Sequence, residues 1–431
     1  MARVVITAWG SYGDLFPSIG VGRALADRGH DVRLAVPAYY APLVRHERLE
    51  HHAVGPDIDP ADRDIVARVM DPLRGPEVLI REWLMPKTEE TFEQLLRAAH
   101  GADLIVSHPV TFAAPVVARV LGVPWVSTVL APMSFFSITD PPVLTVAAYL
   151  QRLRRFGTVY GRLVRWMADR ATRSWMEPLY RLRRAHGIAD DRNPLMDGQF
   201  SPTMTLALFS PVLGLPQRDW PTPTRQTGFV FYNGDLAVPP AFDDFIAAGD
   251  PPVIFTLGGS AVGAAGRFYS ESVSAARRLG VRAVLLTGGF AENEQIGAAR
   301  DVLLIPAAPH QVVFPQASAI VHHGGVGTTG QGLRAGRPTL VVPHAHDQAD
   351  NADRLVRLGV ARSIAAPSYE AGAVVRELTR LLEDVSYAAR AQEAASQVAR
   401  DGGAAAAADA IEAALAGAVD GGSNSIVSDA P

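Results

Sequence analysis

Short apolar runs alternate with helical stretches along most of the chain. Residues 3–8 form an apolar run that ends at a glycine turn, and residues 17–28 follow with apolar positions at helical spacing. The same order returns at residues 104–107 and 125–130, with a helix predicted between them. Strands that alternate with helices in this way build a parallel sheet covered by helices. The pattern therefore predicts an α/β protein.

A second series of strand patterns begins after residue 250. Its apolar runs cover residues 253–257, 283–287, 302–305, 316–321 and 338–342. Prolines and glycines cluster between residues 211 and 240, a composition typical of a linker. We predict a first domain at 1–215, a linker at 216–240, a second domain at 241–416 and a disordered tail at 417–431. The last helix of the second domain is expected to pack back on the first.

The composition limits the class of protein. At 431 residues the chain is long enough for two domains that each bury a core. It carries 40 basic and 44 acidic residues, so no general field attracts nucleic acid, which is not expected as a partner. The absence of cysteine excludes disulfides, thiolate metal ligands and cysteine nucleophiles. The sequence shows no signal-peptide pattern and no apolar stretch of about 18 residues, so we expect a cytoplasmic protein.

Residues 320–358 combine two kinds of binding site on neighbouring strands. The first strand leads into the sequence HHGGVGT at 322–328, and a helix follows. Glycines let the backbone approach an anion, and the N–H groups that open a helix attract phosphate. The next strand ends before Asp347 and Gln348, whose carboxylate and amide fit the vicinal hydroxyls of a hexose. The segment therefore predicts a site for a nucleotide sugar.

These motifs resemble the donor-binding signature of the family 1 glycosyltransferases, the UDP-glycosyltransferase superfamily. The family pattern reads A-P-Q, then H-x-G-x-x-S/T, then D-Q-x-x-N-A. This chain has APH at 308–310, HHGGVGT at 322–328 and DQADNA at 347–352. The resemblance implies a GT-B fold, in which two Rossmann-like, doubly wound domains face each other across a central cleft. It also implies an inverting, metal-independent transferase that needs no cofactor besides its nucleotide-sugar donor.

Other pieces of the chain resemble a narrower bacterial group, the rhamnolipid rhamnosyltransferase and related natural-product or sterol glycosyltransferases. The most distinctive piece is PQRDWP at 216–221. This resemblance implies a dTDP-rhamnose donor, whereas similar bacterial enzymes use glucose, so the choice between a UDP-sugar and a dTDP-sugar stays open. It also implies a lipophilic small-molecule acceptor with a hydroxyl group, such as a flavonoid, polyketide, sterol or hydroxy fatty acid.

The resemblance assigns donor contacts to the second domain. His322 matches the family histidine that contacts the diphosphate, while Thr328 and the glycine amides would complete the cradle. Ser260 resembles a glycine–serine turn that contacts phosphate, and Ala308 and His310 would present backbone atoms to the nucleotide base. The predicted donor-binding residues are Ser260, Ala308, His310, His322, Gly324, Gly325, Gly327, Thr328, Asp347 and Gln348.

The amino-terminal turn supplies a candidate for the catalytic base. Asp14 stands where family members commonly carry the histidine of Gly-His-x-x-Pro. An aspartate near its ordinary pKa of about 3.9 is a weaker base than histidine unless burial raises that pKa. Asp14 is alternatively interpreted as a cap of the helix that begins at Pro17. His108, after the strand at 104–107, is the other candidate base or the partner of Asp14 in a dyad.

Three further assignments concern the acceptor, metals and a lipid surface. Apolar side chains predicted to line the acceptor site, although each also suits a core, are Trp83, Met133, Phe135 and Phe136. His344 and His346 alternate as zinc ligands do, but the adjoining sugar motif leads us to expect no metal.

The arginine-rich helices at 144–186 are interpreted as a solvated pair, or as a wall over the acceptor site with peripheral membrane contact.

Two other functions keep the same fold. A nucleotide-sugar 2-epimerase acts on the sugar itself, and detection of a glycosylated acceptor excludes it. A non-catalytic helper protein keeps the fold and loses the chemistry. His322 and the pair Asp347 and Gln348 favour an enzyme over a helper.

Overall fold

A computed structural model of the chain contains two parallel β-sheets, as expected for an α/β protein. It describes residues 1–57, 62–232, 234, 236–296 and 299–423. The first sheet has seven strands within these ranges, in the order β3-β2-β1-β4-β5-β6-β7. Its strands are β1 (Arg3–Thr7), β2 (Asp31–Val36), β3 (Glu50–Ala53), β4 (Leu104–Ser107), β5 (Trp125–Val129), β6 (Met204–Ala207) and β7 (Thr224–Gln226).

The second sheet has six strands in the described part of the chain, in the order β10-β9-β8-β11-β12-β13. They are β8 (Val253–Thr256), β9 (Ala283–Leu286), β10 (Val302–Ile305), β11 (Ala319–His322), β12 (Thr339–Val341) and β13 (Ala361–Ser363). In both sheets the chain builds outwards from one central strand, then returns to the other side of that strand. The two sheets therefore confirm the predicted doubly wound architecture.

Helices cover both sheets. Those of the first domain are α1 (Tyr12–Ala26), α2 (Ala41–His46), α3 (Arg63–Val69), α4 (Gly75–Glu77), α5 (Thr88–Ala98), α6 (Ala114–Leu121), α7 (Thr158–Thr172) and α8 (Glu177–Ala185). The later helices are α9 (Pro240–Ala247), α10 (Gly258–Ala261), α11 (Phe268–Leu279), α12 (Ala291–Glu294), α13 (His310–Val313), α14 (Val326–Ala335), α15 (Gln348–Leu358), α16 (Ala371–Glu383), α17 (Val385–Val398) and α18 (Gly403–Ser423). Pro132–Phe135 and Thr145–Phe156 are tighter 3₁₀ turns, and Val78–Leu84 is a wider π-helical turn.

The strand order fixes where ligands can bind. The direction of winding changes between β1 and β4 in the first sheet, and between β8 and β11 in the second. Ligands of open α/β sheets bind outside the carboxyl ends of the strands at such switch points. Asp14 and His108 follow β1 and β4, while Ser260 and His323 follow β8 and β11. The four residues therefore lie at the two switch points.

Helix α1 begins one turn earlier than the apolar spacing predicts. Ser11 is its N-cap, and the Asp14 carboxylate accepts a hydrogen bond from the Ser11 backbone, which completes a capping box. Pro17 consequently lies inside the helix and is not its first residue. The capping interpretation of Asp14 is thus correct in kind, but the helix that it caps starts at Tyr12.

The segment predicted as a linker includes the edge strand β7. An edge strand tolerates the prolines that flank it, because its outer N–H groups need no partner in the sheet. Within the PQRDWP motif, Asp219 accepts hydrogen bonds from the Ser137 hydroxyl at 2.8 Å and the Ile138 amide at 2.6 Å. Trp220 stacks on Phe135 with ring centroids 4.2 Å apart. The motif therefore anchors this segment to the loop after β5.

The chain crosses between the two domains twice, and the crossings are adjacent. After α17 in the second domain, α18 returns to the first, where Ala407 and Ile411 join the core that contains Leu15. The Gly403 amide at the second crossing donates to the Thr227 carbonyl at the first, at 2.7 Å. Residues 417–423 of the predicted tail continue α18, and residues 424–431 lie outside the described residues.

Within the described residues, no helix combines the length and the apolar character needed to cross a membrane.

Candidate active site

The two candidate bases of the first domain lie together at the carboxyl ends of β1 and β4. Asp14 Oδ1 is 3.3 Å from His108 Nε2. Asp14 Oδ2 accepts hydrogen bonds from the Ser11 backbone N–H at 2.8 Å and the Ser11 hydroxyl at 3.0 Å. Gly10 leaves room for this carboxylate, since a Cβ there would lie 2.3 Å from Asp14 Oδ2. Its φ of 136° also favours glycine.

The partners of Asp14 keep its carboxylate charged. Burial alone would raise the pKa of Asp14. The hydrogen bond and charge of His108, together with the Ser11 contacts, outweigh burial and hold that pKa below its ordinary value. An ionised Asp14 accepts a hydrogen bond from His108 Nε2–H, and Nδ1 of the same ring accepts from the Val110 amide at 3.5 Å. The pair is a carboxylate supported by an imidazole.

Glycine turns of the second domain form an anion cradle opposite this pair. Helix α14 opens directly after Gly325, which is its N-cap, so its first N–H groups face the switch point. A Cβ on Gly258 would lie 2.5 Å from His323 Cε1 and 3.2 Å from Thr328 Oγ1. Ser260 Oγ lies 3.3 Å from His323 Nε2. Hydroxyls, an imidazole and helix amides therefore converge, as a diphosphate site requires.

The two consecutive histidines occupy different positions. His322 is the fully buried last residue of β11, and its Nδ1 accepts a hydrogen bond from the Gly324 amide at 3.1 Å. The His323 ring lies between Gly258 and Gly325, with Nε2 near Ser260. The structure therefore places His323 beside the cradle, where the sequence prediction placed His322. The sequence itself indicates His323, because the pattern H-x-G-x-x-T that ends at Thr328 begins at this residue.

Both histidines are neutral at physiological pH. Burial lowers the pKa of His322 to about 3 and holds the pKa of His323 well below its ordinary value. A neutral imidazole carries one N–H, so His323 can donate one hydrogen bond to an anion. The cradle relies on hydrogen bonds and helix amides for its attraction to phosphate.

Asp347 and Gln348 lie at the start of α15, next to the cradle. Gln348 Oε1 accepts hydrogen bonds from the His344 amide at 2.8 Å and the Ala345 amide at 3.1 Å. Its carbonyl end is thereby fixed, and its NH₂ end is oriented as a donor. Asn351 Nδ2 donates to Asp347 Oδ2 at 2.7 Å and to the Gly324 carbonyl at 2.9 Å. One side chain thus joins the sugar motif to the glycine turn.

Asp347 titrates near neutral pH. Burial raises the pKa of Asp347 to about 7, against the hydrogen bond from Asn351, and the charge of Asp14 adds to the rise. Both forms of the carboxyl are therefore accessible near neutral pH, so it can donate or accept a hydrogen bond. Both capacities suit a sugar hydroxyl.

The third predicted motif lies near the same histidines. His310 opens α13, and its ring stacks on Phe314 at 4.3 Å between centroids. Burial lowers the pKa of His310 to about 4. Its charged form would in turn lower the pKa of His322, which shows that the two rings are close. Ala308 is buried beside it.

The chain is similar to known glycosyltransferases in sequence and in fold. Residues 291–413 match the family model described as "Erythromycin biosynthesis protein CIII-like, C-terminal domain". Over 422 residues the chain is 32% identical to O-mycaminosyltylonolide 6-deoxyallosyltransferase of Streptomyces fradiae, which covers 93% of this chain and 94% of that protein. The chain is a family 1 glycosyltransferase.

Two more distant relatives widen the comparison. A sterol 3-beta-glucosyltransferase of Leptosphaeria maculans is 29% identical over 382 residues, or 83% of this chain and 25% of that longer protein. The solved structure of the glycosyltransferase VinC in complex with dTDP superposes with a TM-score of 0.69 at 21% identity, covering 96% of this chain and 99% of that one. The latter likeness confirms the GT-B fold of this glycosyltransferase.

The residues predicted to line the acceptor site lie around the turn after β5 and in the turn Val78–Leu84. Phe135 is 2% exposed and packs in a core against Trp220. Met133 shares its turn, Phe136 follows it, and Trp83 is half-buried in the turn Val78–Leu84. An apolar pocket opens instead beside the Asp14 and His108 pair. Its lining includes Trp9, Leu84, Met85, Thr91, Val110 and Phe112, and none of the four predicted residues.

A buried charge network holds the two domains of the glycosyltransferase together. Arg354 on α15 donates to Asp350 at 2.7 Å and to Asp140 of the first domain at 2.5 Å. Arg154 of the first domain lies 2.7 Å from Asp353 on the same helix. Because α15 begins at the sugar motif, the segment after β5 is tied to the helix that carries that motif.

Two further sequence interpretations concern a metal site at His344 and His346 and the arginine-rich helices at 144–186. The rings of His344 and His346 do not converge, because His344 Nδ1 contacts the Val342 carbonyl at 2.8 Å and His346 faces the first domain. On α7, Val159, Leu163 and Trp166 are exposed, so the solvent side of this arginine-rich helix is partly apolar. Contact of that helix with a lipid surface stays a prediction.

Proposed function

We propose that this glycosyltransferase moves a deoxyhexose or hexose from a dTDP- or UDP-sugar to a hydroxyl of a lipophilic small molecule, with inversion and without a metal ion. The observation that carries the proposal is the approach of the two switch points. A Cβ on Gly327, at the start of α14, would lie 3.9 Å from Gly13 Cα in α1. The pair of Asp14 and His108 and the anion cradle therefore belong to one site.

Asp14 is the base in this proposal, and His108 supports it. The Asp14 side chain is 35% exposed and that of His108 is 5% exposed, so an acceptor hydroxyl reaches the carboxylate first. Asp14 takes the hydroxyl proton as the oxygen attacks the anomeric carbon, and His108 holds the carboxylate in place. A direct attack on the face opposite the leaving diphosphate inverts the anomeric configuration.

The cradle stabilises the departing nucleoside diphosphate. His323 N–H, the hydroxyls of Ser260 and Thr328, and the first amides of α14 donate hydrogen bonds to its oxygens. The positive end of the α14 dipole favours the charge that develops as the sugar bond breaks. These donors are fixed before reaction by the turns that carry them, so little reorganisation is needed.

Asp347 and Gln348 orient the sugar. The NH₂ of Gln348 donates to one hydroxyl, and Asp347 accepts from or donates to its neighbour. The side chains that hold this pair, Asn351 among them, are buried, so the pair is rigid. A rigid clamp places the anomeric carbon between the base and the cradle.

The relatives and the pocket support the proposed donor and acceptor classes. The Streptomyces relative is named for a 6-deoxy sugar and a tylonolide, and VinC was solved with dTDP. A dTDP-linked deoxyhexose is therefore the first donor to test, with glucose second because the fungal relative is a glucosyltransferase. The small apolar pocket lined by Trp9, Leu84 and Phe112 suits an apolar group of the acceptor, and the named relatives act on a tylonolide and a sterol.

A panel of donors and acceptors tests the proposal. dTDP-rhamnose, dTDP-glucose and UDP-glucose are each combined with a macrolide aglycone, a sterol, a flavonol and a hydroxy fatty acid. Mass spectrometry should show an acceptor that has gained one sugar, and the anomeric coupling in its NMR spectrum reports inversion. An altered nucleotide sugar without a glycosylated acceptor would establish the 2-epimerase alternative. Binding without any product would establish the helper alternative.

A further inference from the structure

Helix α3 precedes β4 in the first domain, yet it packs on the second. Met70, its C-cap, is buried in the core that also contains Phe255 of β8. Val66 faces Gly263, where a Cβ would lie 3.5 Å from Val66 Cγ1. The α3 segment of the acceptor domain is therefore docked on the donor domain.

Polar contacts support this docking. Arg63 Nη1 donates to Glu292 at 2.5 Å, and the guanidinium lies 5.7 Å from the centroid of the Phe290 ring. Both partners belong to the second domain. Arg68, one turn further along, instead pairs with Glu82 of the first domain at 2.5 Å. The two arginines of α3 thus form ion pairs with different domains.

The carboxyl end of α3 meets His346. The last carbonyls of a helix have no partner within it, and that of Val69 is among them. The His346 ring lies beside this carbonyl, and both border Gly75. The contact is tightly enclosed, since a Cβ on Gly75 would lie 2.2 Å from the Val69 oxygen and 3.7 Å from His346 Cε1. Glycine at 75 lets the following turn close over the contact.

His346 has an uncommon backbone conformation. Its φ is 56°, a left-handed value that only three non-glycine residues adopt in the described part of the chain. Such a conformation persists where surrounding contacts hold it, and it occurs often at functional sites. The next residue is Asp347. The direction in which the sugar-binding pair leaves β12 therefore depends on the backbone of His346.

We propose that His346 is a positioning residue, which sets Asp347 and Gln348 for the sugar when α3 of the acceptor domain docks on the donor domain. This inference rests on the proposed role of those two residues as the sugar clamp. Burial outweighs the nearby Asp14 charge and lowers the pKa of His346, so the ring beside Val69 is neutral and can donate one N–H. Asp14 and α3 belong to the same domain, so the clamp is set only when the base is also in place.

Three substitutions of His346 separate the ring from the backbone. His346→Ala removes the ring and disfavours the left-handed backbone, so the KM for the nucleotide sugar should rise about tenfold or more. His346→Asn tolerates that backbone and offers an N–H donor, so it should retain most activity. His346→Gly relaxes the backbone without a donor and should resemble His346→Ala. A wild-type KM in His346→Gly would overturn the proposal, because the backbone alone would then suffice.

The affinity for the nucleoside diphosphate distinguishes positioning from general damage. The cradle does not include His346, so calorimetry should give the same Kd for dTDP in all three variants and the wild type. A parallel loss of dTDP binding would show a folding defect and contradict the positioning role. If turnover is too slow to follow, calorimetry with the intact nucleotide sugar compares its affinity for the variants and the wild type. The role of His346 can therefore be tested even if the transferase proposal fails.

Charge reversal on α3 tests the domain contact. Arg63→Glu repels Glu292 and should raise the same KM, and its effect should be less than additive with His346→Ala. Arg68→Glu is the matched control, because it reverses a charge on the same helix and disturbs a contact inside the first domain. Equal effects of the two reversals, or full additivity with His346→Ala, would contradict the link between α3 and the clamp.

Discussion

Asp14 and Asp347 belong to different domains, yet the charge of Asp14 adds to the rise that burial causes in the pKa of Asp347. The proposed base and the proposed sugar clamp therefore share one electrostatic environment. Asp14 is charged because His108 and Ser11 stabilise its carboxylate, and that charge favours the protonated form of Asp347. Asp14 is thus ionised, although its lowered pKa makes it a weaker base, while Asp347 can donate a hydrogen bond to a hydroxyl or accept one from it.

Replacement of Asp14 tests the base. Asp14→Asn keeps the size of the side chain but cannot accept the acceptor proton, so kcat should fall about 10²–10⁴-fold. The Kd for dTDP should stay unchanged, because the cradle lies in the other domain. Steady-state kinetics and calorimetry measure the two quantities.

Ser11→Ala is the control for this change. It removes the hydroxyl contact with the carboxylate and retains the backbone contact, so activity should change little. Full transfer activity in Asp14→Asn would refute the assignment of the base.

Asp347 should give the protein a dependence of stability on pH. Folding favours its protonated form, so this group destabilises the fold progressively as the pH rises from 3.8 to about 7. Asp347→Asn should therefore raise Tm by about 2–4 °C at pH 8. The gain should shrink as the pH approaches 4, as thermal unfolding at several pH values will show.

The same substitution should reduce transfer. Asp347→Asn loses the charged hydrogen bond to the sugar, and kcat/KM should fall about 10–100-fold at pH 8. A Tm gain that does not depend on pH would contradict the raised pKa, whereas unchanged kcat/KM would contradict the sugar contact.

His322 and His323 should respond differently to substitution. His323→Ala removes a donor from the cradle and should weaken dTDP binding about tenfold. His322→Ala leaves the buried Gly324 amide without its acceptor, so it should lower Tm by several degrees and affect dTDP binding less. Calorimetry and thermal unfolding separate the two effects. The reverse pattern would restore His322 as the diphosphate ligand.

The apolar pocket should control acceptor affinity. Thr91 lines it from α5, so Thr91→Trp should fill the space and raise the acceptor KM about tenfold, with the donor KM unchanged. Glu93→Trp adds the same ring at an exposed position of α5 and is the matched control. An unchanged acceptor KM in Thr91→Trp would place the acceptor elsewhere.

The donor half of the site could be predicted because its residues are nearly contiguous. Gly325 and Thr328 lie in one strand–turn–helix unit and Gln348 opens the helix of the next, so local patterns determine where they lie. The same patterns left a one-residue ambiguity between His322 and His323. Only the packing of β11 decides which ring is buried in the sheet and which one reaches Ser260.

The apolar pocket beside Asp14 and His108 could not be predicted in the same way. The pocket joins Trp9, Met85 and Phe112 from separate segments, and an apolar residue in a loop looks alike whether it lines a pocket or fills a core. Phe135 illustrates this, since its burial depends on Trp220 in the predicted linker. The docking of α3 on the second domain is equally non-local.

The two crossings between the domains lie side by side, where the Gly403 amide bonds to the Thr227 carbonyl. A Cβ on Gly228 would lie 2.2 Å from Asp401 Cβ, so the two connecting segments are in close contact. Two adjacent connections should limit the relative motion of the domains to rotation about one axis near residues 228 and 401. They should resist translation of one domain past the other. Each opening for product release should consequently return Asp14 along the same arc to the same point opposite the cradle.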